Sequence, residues 1–291
     1  ASMSIEPDIP SPHAVTTRPE AQAPLGAIDC HAHVFAAPGA HYLNPARGYI
    51  PPEATLANYQ AMLATLGIQR GVIVQPSVYG TVNDCSREAV EAMEDSGRGV
   101  AVLDQTVSDD ELQRLHNAGF RGTRFNLHSG GGVDLDELEI VARRIAELGW
   151  HIQCFIDHQT LIDLLPRFKK MPVDLVFDHL GQPDPGKGVD QPAFRALLDL
   201  LGGGRAWVKI SGAYRVDDSG APWPLADKFA EALITAAPDQ LVWGSDWPHP
   251  HLQTSPMPDD GDLFNRLLAW TGDKAVRQKI MVDNPTRLYD F

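Results

Sequence analysis

Histidine and aspartate side chains stand at the ends of several short apolar runs in the 291-residue chain. The stretch AIDCHAHVFA carries His31 and His33. The later stretches FDHLGQPD and VWGSDWPHP carry His179 and Asp246. Imidazole and carboxylate groups serve as general acids and bases, and they are also good ligands for zinc or manganese. These four residues predict hydrolytic acid–base chemistry, metal binding, or both, if the fold brings them together.

The spacing of His31 and His33 indicates that both imidazoles point to one side of a strand. Side chains in a strand alternate between two faces with a period of two, and the residues before His31 are mostly apolar or small. A chain with eleven histidines produces such a pair easily by chance. The pair therefore indicates a functional site only if other polar residues stand at the ends of neighbouring strands.

Eight short β-rich runs alternate with helical patterns along the chain. The runs span residues 27–30, 71–75, 99–103, 122–126, 151–156, 173–177, 207–210 and 241–244. Between the first two runs, Leu56, Leu63 and Leu66 recur at helical spacing before Gly67, a typical C-cap. Apolar strands separated by helices predict parallel βα units, and eight units predict one (β/α)8 TIM-type barrel over residues 25–291. A doubly wound sheet is disfavoured because no Gly-x-Gly-x-x-Gly follows the first strand.

Polar residues at the carboxyl ends of the predicted strands define the candidate site, because TIM barrels hold their active sites there. The predicted ends place three imidazoles and one carboxylate at a single mouth. The candidate substrate-binding residues at or near this mouth are Ser77, Arg124, Asn126, Lys209, Arg215 and His249. Arginine pairs with carboxylate or sulfonate oxygens through two parallel hydrogen bonds. Arg124 and Arg215 therefore predict an anionic substrate.

The composition is that of an ordinary globular protein with an acidic surface. Hydrophobic residues make up 43% of the chain, and the net charge is −14. Such a charge disfavours nucleic acid or an anionic membrane as a partner. The three cysteines form no Cys-x-x-Cys pair, and no apolar run approaches the roughly 18 residues of a membrane span. We expect a cytoplasmic monomer or small homo-oligomer in which the proline-rich residues 1–24 form an extended or poorly ordered arm.

The motifs DCHAHVF, FDHLGQPD and VWGSDWPHP on eight βα units resemble the amidohydrolase superfamily, in particular its lactonase branch. The resemblance covers almost the whole predicted barrel. It implies that Asp246 is the general base that activates water. It also implies that His31, His33 and His179 polarise the carbonyl of a lactone.

The positions that bind the substrate in the lactonase branch are matched only in part. Tyr49, Arg124 and Arg215 match positions that hold its acidic groups, but other positions differ. Gly130 and Phe155 stand where enzymes acting on 2-pyrone-4,6-dicarboxylate have an arginine and a tyrosine. The resemblance implies a small anionic lactone of the 2-pyrone-4,6-dicarboxylate or 4-sulfomuconolactone type, and the missing cation favours the latter. The alternatives are a metal-dependent decarboxylase of the same superfamily, a sugar lactonase or lactone isomerase, and an inactive barrel used for binding.

A single divalent metal ion is the cofactor that the candidate residues could hold. The residues that suit zinc or manganese by type are His31, His33, His179 and Asp246. The binuclear sites of the superfamily also use a lysine or glutamate on the fourth strand, which TRFNLH lacks. Lactonases of this branch can act without a metal, so the resemblance implies either no required cofactor or one ion. His158 would be a further ligand if its side chain turned towards the mouth.

Overall fold

The computed structural model describes residues 6–127, 134–250 and 256–291. Its centre is a sheet of eight parallel strands, each paired with the next along the chain. The strands are β1 (Ile28–Ala32), β2 (Arg70–Val74), β3 (Gly97–Ala101), β4 (Phe120–Leu127), β5 (His151–Ile156), β6 (Leu175–Phe177), β7 (Ala206–Lys209) and β8 (Leu241–Val242). All eight predicted strands are present, with ends displaced by at most two residues, which confirms the (β/α)8 barrel.

The first and last strands meet along a seam that closes the barrel. The N–H of Asp246 donates to the His31 carbonyl at 2.8 Å. The buried carboxylate of Asp29 accepts hydrogen bonds from both the N–H and the hydroxyl of Ser245. Gly244 permits this close approach, since a Cβ there would lie 2.5 Å from the Cβ of His31. The seam therefore joins two segments that carry predicted catalytic residues.

Helices follow the strands and cover the outside of the sheet. They are α1 (Leu56–Leu66), α2 (Asp84–Met93), α3 (Asp109–Ala118), α4 (Leu135–Ala146), α5 (His158–Phe168), α6 (Pro192–Leu201), α7 (Ala213–Val216), α8 (Pro224–Ala236), α9 (Asp260–Trp270), α10 (Lys274–Gln278) and α11 (Asn284–Tyr289). Short 3-10 helices lie at Ser77–Tyr79, Glu94–Ser96, His179–Gly181 and Pro238–Gln240, and a π-helical turn at Lys279–Asp283. The α1 helix begins after Thr55, whose side chain accepts from the Asn58 N–H, and ends at Gly67 with φ of 78°. Both ends follow the capping chemistry of these residues.

The apolar core has two parts. One part fills the inside of the barrel with strand residues such as Val72, Val176 and Val242, and Tyr289 of α11 belongs to the same cluster. The Tyr289 ring packs against His151, the first residue of β5, at a centroid distance of 5.3 Å. The other part lies between the sheet and the helices. Because apolar side chains fill the amino-terminal end of the barrel, the opposite end is the place for a cavity.

Residues 6–24 run along the outside of the barrel without helix or strand. The N–H and hydroxyl of Thr16 donate to the Asp259 carboxylate at 2.7 and 2.6 Å. Asp8 donates its N–H to the Ile50 carbonyl and accepts the Ile50 N–H on its side chain. Across the described parts of the chain, none of the helices has the length and apolar character needed to cross a membrane.

Candidate active site

A cavity of about 540 Å³ opens at the carboxyl ends of the strands. Such a volume suits a small organic molecule. The cavity brings together the four predicted catalytic residues and five of the seven predicted to bind substrate. Its lining residues are His31, His33, Asn44, Tyr49, Pro76, Ser77, Gly80, Thr81, Val102, Arg124, Asn126, Phe155, Asp178, His179, Arg215, Asp246 and Pro250.

The two carboxylate oxygens of Asp246 have different surroundings. Oδ2 accepts from Nε of Arg215 at 2.6 Å and from the hydroxyl of Tyr214 in a very short contact. Oδ1 is buried and has no hydrogen-bond partner among the described residues. It lies 3.6 Å from Nε2 of His31 and 4.0 Å from Nε2 of His179. Oδ1 is therefore the oxygen that can accept a proton from water or substrate.

The charge of Asp246 is stabilised although the side chain is fully buried. Burial alone would raise the pKa of this carboxyl group. The Arg215 guanidinium outweighs burial and holds the pKa well below its ordinary value of 3.8. Asp246 is therefore ionised at neutral pH, as a general base must be.

The three imidazoles of the cavity are neutral at neutral pH. Burial lowers the pKa of His33 and that of His179 to about 3, and it lowers that of His31 well below 6.5. The rings of His31 and His33 lie 5.0 Å apart, as do those of His31 and His179. Neutral imidazoles can donate or accept hydrogen bonds without adding a charge to the cavity.

Two of the site residues have an unusual backbone conformation. Asp246 has φ of 62° and His179 has φ of 49°. A positive φ in a residue other than glycine costs about 1–3 kcal/mol, and such residues cluster at active sites. Gly212 supports the second one, because a Cβ at this position would lie 2.9 Å from Nδ1 of His179. The backbone is thus locally strained at the two residues whose side chains line the cavity.

A buried chain of hydrogen bonds lies behind Asp246. The hydroxyl of Tyr214, which contacts Asp246, lies 3.1 Å from Nδ1 of His249. Nε2 of His249 lies 2.9 Å from the carboxylate of Asp260. His249 is 1% exposed and stands outside the cavity lining, and its contact with substrate stays a prediction. In this position His249 contacts the Tyr214 hydroxyl, which in turn contacts the general base Asp246.

Lys209 also lies in a different place from the one predicted. It is fully buried below the cavity floor and is absent from the lining. Its Nζ contacts Nδ1 of His31, the Gln153 side chain and the Cys30 carbonyl. The lysine therefore contacts His31, a catalytic candidate, from below, and direct contact between Lys209 and substrate stays a prediction. Lys209 is the last residue of β7, and its side chain points into the barrel below the residues that line the cavity.

The remaining substrate-binding candidates line the cavity wall. Arg124 donates from Nη1 to the Gln75 carbonyl at 3.1 Å. Tyr49 is buried and hydrogen-bonds Ser77, and burial raises its pKa, so it remains a hydroxyl. Asn126 is exposed at the rim. Gly130, the position that the resemblance compares with an arginine of enzymes acting on 2-pyrone-4,6-dicarboxylate, falls outside the described residues.

Comparison with known proteins identifies the family. The family model described as amidohydrolase matches residues 28–291. The chain belongs to the amidohydrolase family.

Two relatives span almost the same length as this amidohydrolase. A 2-pyrone-4,6-dicarboxylate hydrolase from Comamonas testosteroni is 36% identical over 289 residues, covering 95% of this chain and 94% of the relative. A 4-sulfomuconolactone hydrolase from Rhizobium radiobacter is 37% identical over 270 residues, covering 91% of this chain and 90% of the relative. These matches confirm the predicted family and support an enzyme of the lactone-hydrolase class.

A solved structure shares the fold of this amidohydrolase. It is a probable 2-pyrone-4,6-dicarboxylic acid hydrolase from Acinetobacter baumannii with citric acid bound. The TM-score is 0.81 at 30% identity, and the match covers 92% of this chain and all of that chain (100%).

The metal candidates of this amidohydrolase are close together, and Lys209 contacts one of them. One ligand atom each from His31, His33 and Asp246 lies within 4.8 Å of the others. Oδ1 of Asp246, which lacks a hydrogen-bond partner within the described ranges, would also suit an ion. However, the Lys209 ammonium already lies 3.1 Å from His31, and a second cation beside that imidazole would be repelled. With Lys209 charged, the donor set does not fit an ion ligated by His31, and His158, at the start of α5, lies outside the cavity lining.

Four buried or half-buried polar residues support the site although the sequence predicts no catalytic or substrate-binding role for them. They are Gln153, Asp178, Ser211 and Tyr214. Ser211 lies 3.0 Å from Nδ1 of His179, and Gln153 donates to Asp178 at 3.1 Å. Gln153 could have been found in the sequence, because HIQCFI places one amide inside an apolar strand and a buried amide needs a partner.

Proposed function

We propose that the enzyme opens the ester ring of a small anionic lactone by attack of water. The observation that carries this proposal is the buried Oδ1 of Asp246, which has no hydrogen-bond partner in the described parts of the chain and lies beside the neutral imidazoles of His31 and His179. Ester hydrolysis needs a base for water and a donor for the developing oxyanion. Both kinds of group face the same space here.

The proton transfers follow from this arrangement. Oδ1 of Asp246 accepts a proton from water while the water oxygen attacks the lactone carbonyl carbon. An imidazole N–H donates a hydrogen bond to the carbonyl oxygen as it gains negative charge. When the ring C–O bond breaks, Asp246 returns the proton to the departing ring oxygen. The product is a hydroxy acid whose new carboxyl group ionises at neutral pH, so each turnover releases one proton.

The two arginines of the cavity support an anionic substrate in different ways. Arg215 is paired with Asp246, so its charge stabilises the base. Arg124 lines the wall near the Tyr49 hydroxyl, and we expect these two residues to bind the acidic group of the lactone. Residues 128–133 and 251–255 contain no lysine or arginine that could add a second cation.

The similar proteins act on or hold small organic acids. Two are hydrolases of 2-pyrone-4,6-dicarboxylate and 4-sulfomuconolactone, and the third holds citric acid. The net charge of −14 supports a small molecule rather than nucleic acid as the partner. We place the enzyme among cytoplasmic monomers or small homo-oligomers of aromatic-compound catabolism.

The proposal is tested by incubating the purified enzyme with a panel of lactones and recording proton release with a pH indicator. The panel contains 4-sulfomuconolactone, 2-pyrone-4,6-dicarboxylate and a neutral sugar lactone. We expect acid release from an anionic lactone and a loss of at least about 10²-fold in kcat for Asp246→Asn.

Three results would contradict the proposal. Carbon dioxide release from an acid without lactone opening would indicate a decarboxylase. Rearrangement of a lactone without net acid would indicate an isomerase. An Asp246→Asn enzyme with more than about a tenth of the wild-type kcat would exclude the general-base role.

A further inference from the structure

Lys209 is surrounded by acceptor atoms inside the barrel. Its Nζ lies 2.8 Å from the Cys30 carbonyl oxygen, 2.7 Å from Oε1 of Gln153 and 3.1 Å from Nδ1 of His31. The Gln153 amide has a fixed orientation, because its Nε2 donates to the Asp178 carboxylate at 3.1 Å. The amide oxygen must therefore face the lysine.

The hydrogens of Lys209 can be assigned from these contacts. Carbonyl oxygens only accept, so Cys30 and Gln153 each take one N–H of the ammonium group. The nearest remaining acceptor for the third N–H is Nδ1 of His31 at 3.1 Å, because Oδ1 of Asp178 lies farther away, 3.8 Å from Nζ and 3.6 Å from Nδ1. Burial lowers the pKa of Lys209, and the Asp178 carboxylate, with its Oδ1 at 3.8 Å from Nζ, opposes this shift and favours the ammonium form. A charged lysine in this position requires a lone pair on Nδ1, and a neutral imidazole then carries its hydrogen on Nε2.

We propose that Lys209 is a positioning residue that fixes His31 as the Nε2–H tautomer. In this form His31 presents a hydrogen-bond donor to the cavity, where Nε2 lies 3.6 Å from the base oxygen of Asp246. A donor at this place is what the oxyanion of the reaction needs. The proposal rests on the proposed function for its catalytic meaning, but the tautomer itself does not depend on any substrate.

His33 has the opposite tautomer, although it lies only two residues away. Its Nδ1 is 2.8 Å from the Val74 carbonyl oxygen, which cannot donate, so Nδ1 carries the hydrogen. Nε2 of His33 therefore has a lone pair and accepts. The His-x-His pair thus consists of one donor and one acceptor, which suits a substrate carbonyl beside a water molecule. A metal ion bound by both residues would need lone pairs on both Nε2 atoms.

The tautomers can be measured directly on the wild-type enzyme. Protein labelled with ¹⁵N-histidine gives long-range ¹H–¹⁵N spectra in which protonated and unprotonated ring nitrogens have distinct shifts. His31→Gln and His33→Gln variants assign the two rings. We expect a protonated Nε2 in His31 and a protonated Nδ1 in His33. A protonated Nδ1 in His31 would overturn the proposal, whatever the enzyme hydrolyses.

Substitution of Lys209 tests whether the lysine is the reason for the His31 tautomer. In Lys209→Met we expect the His31 tautomer to shift towards Nδ1–H and kcat to fall about 10²-fold, with a much smaller change in KM, because one oxyanion donor is lost. Lys187→Met, at a solvent-exposed lysine, is the control for loss of a positive charge. An unchanged His31 tautomer in folded Lys209→Met would refute the role of the lysine. If Lys209→Met does not fold, the wild-type spectrum alone decides the proposal.

Zinc gives an independent measurement on the wild-type enzyme. Saturating zinc is expected to leave the Nε2–H signal of His31 in place, because Lys209 holds that tautomer. Loss of the Nε2 hydrogen on zinc addition would show that the metal can displace it, and would overturn the proposal.

Discussion

Arg124 and Arg215 face the same cavity, but their removal should damage different kinetic parameters. Arg124→Met is expected to raise KM for an anionic lactone and to leave the hydrolysis of a neutral lactone nearly unchanged. Arg215→Met is expected to lower kcat for both substrates, because this guanidinium is bound to Oδ2 of Asp246 at 2.6 Å. The sequence alone predicts the same effect for both arginines, so the contrast depends on the structure.

The expected magnitudes follow from burial and distance. Two unit charges about 4 Å apart interact by about 4 kcal/mol at an effective dielectric constant of about 20. Arg124 is half-buried, so solvent reduces this value, and a loss of about 2–4 kcal/mol corresponds to about 30–1000-fold in kcat/KM. Removing Arg215 leaves a buried carboxylate without its cation, which costs about 3–5 kcal/mol of stability. The pKa of Asp246 should also rise, because Arg215 is the main charge that lowers it.

The assay is initial-rate kinetics of both variants with one anionic and one neutral lactone between pH 5 and 9, together with urea unfolding. Arg124→Lys retains the charge without the planar fork and should recover part of the affinity. Arg195→Met, on the exposed face of α6, is the control for loss of an arginine. The reasoning is refuted if Arg124→Met slows both lactones equally, or if Arg215→Met changes only KM for the anionic lactone.

Three further outcomes are expected. The kcat/KM profile should stay level through mildly acidic pH and fall only below about pH 3.8, because Asp246 ionises well below that value and the pKa of His33 and of His179 is about 3. A pH-stat profile with an acid limb centred between about pH 5 and 7 would contradict these assignments. Tyr214→Phe should lower kcat by about 10-fold with little change in KM, since one charged hydrogen bond to the base is lost, and equal kcat values for variant and wild type would remove this role. Asp29→Asn should lower the free energy of unfolding by about 1–3 kcal/mol in urea titrations, because its amide hydrogens would face the donors of Ser245, and an unchanged midpoint would disprove it.

The strand order and the contents of the cavity could be predicted because the signals are local. The predicted and observed bounds of β5 coincide, and α1 ends at the glycine that its sequence suggests. Parallel strands of a barrel bring their carboxyl ends to one mouth. The residues at the predicted strand ends therefore included His31, His179 and Asp246, which line one cavity in the structure.

The depth and direction of individual side chains could not be predicted in the same way. Lys209 and His249 lie behind the cavity. The depth of a side chain in the barrel depends on the stagger between neighbouring strands, which the sequence of one strand does not determine. The alternation in β1 is also interrupted. Its register shifts between Asp29 and Ala32, so that Cys30 joins the barrel interior while His31, the next residue, faces the cavity. A strict period of two does not produce this arrangement.

The seam between β1 and β8 ties catalysis to the last step of folding. His31 lies near the beginning of the barrel sequence and Asp246 near its end, so they meet only after all the intervening chain has been arranged. Contacts between residues so distant in sequence carry the largest cost in loop entropy and form late. Trp247 belongs to this seam, where its ring packs 5.4 Å from that of Tyr59. During refolding, recovery of turnover and burial of this tryptophan should therefore share one time course, so that each molecule becomes an enzyme at the moment its barrel closes.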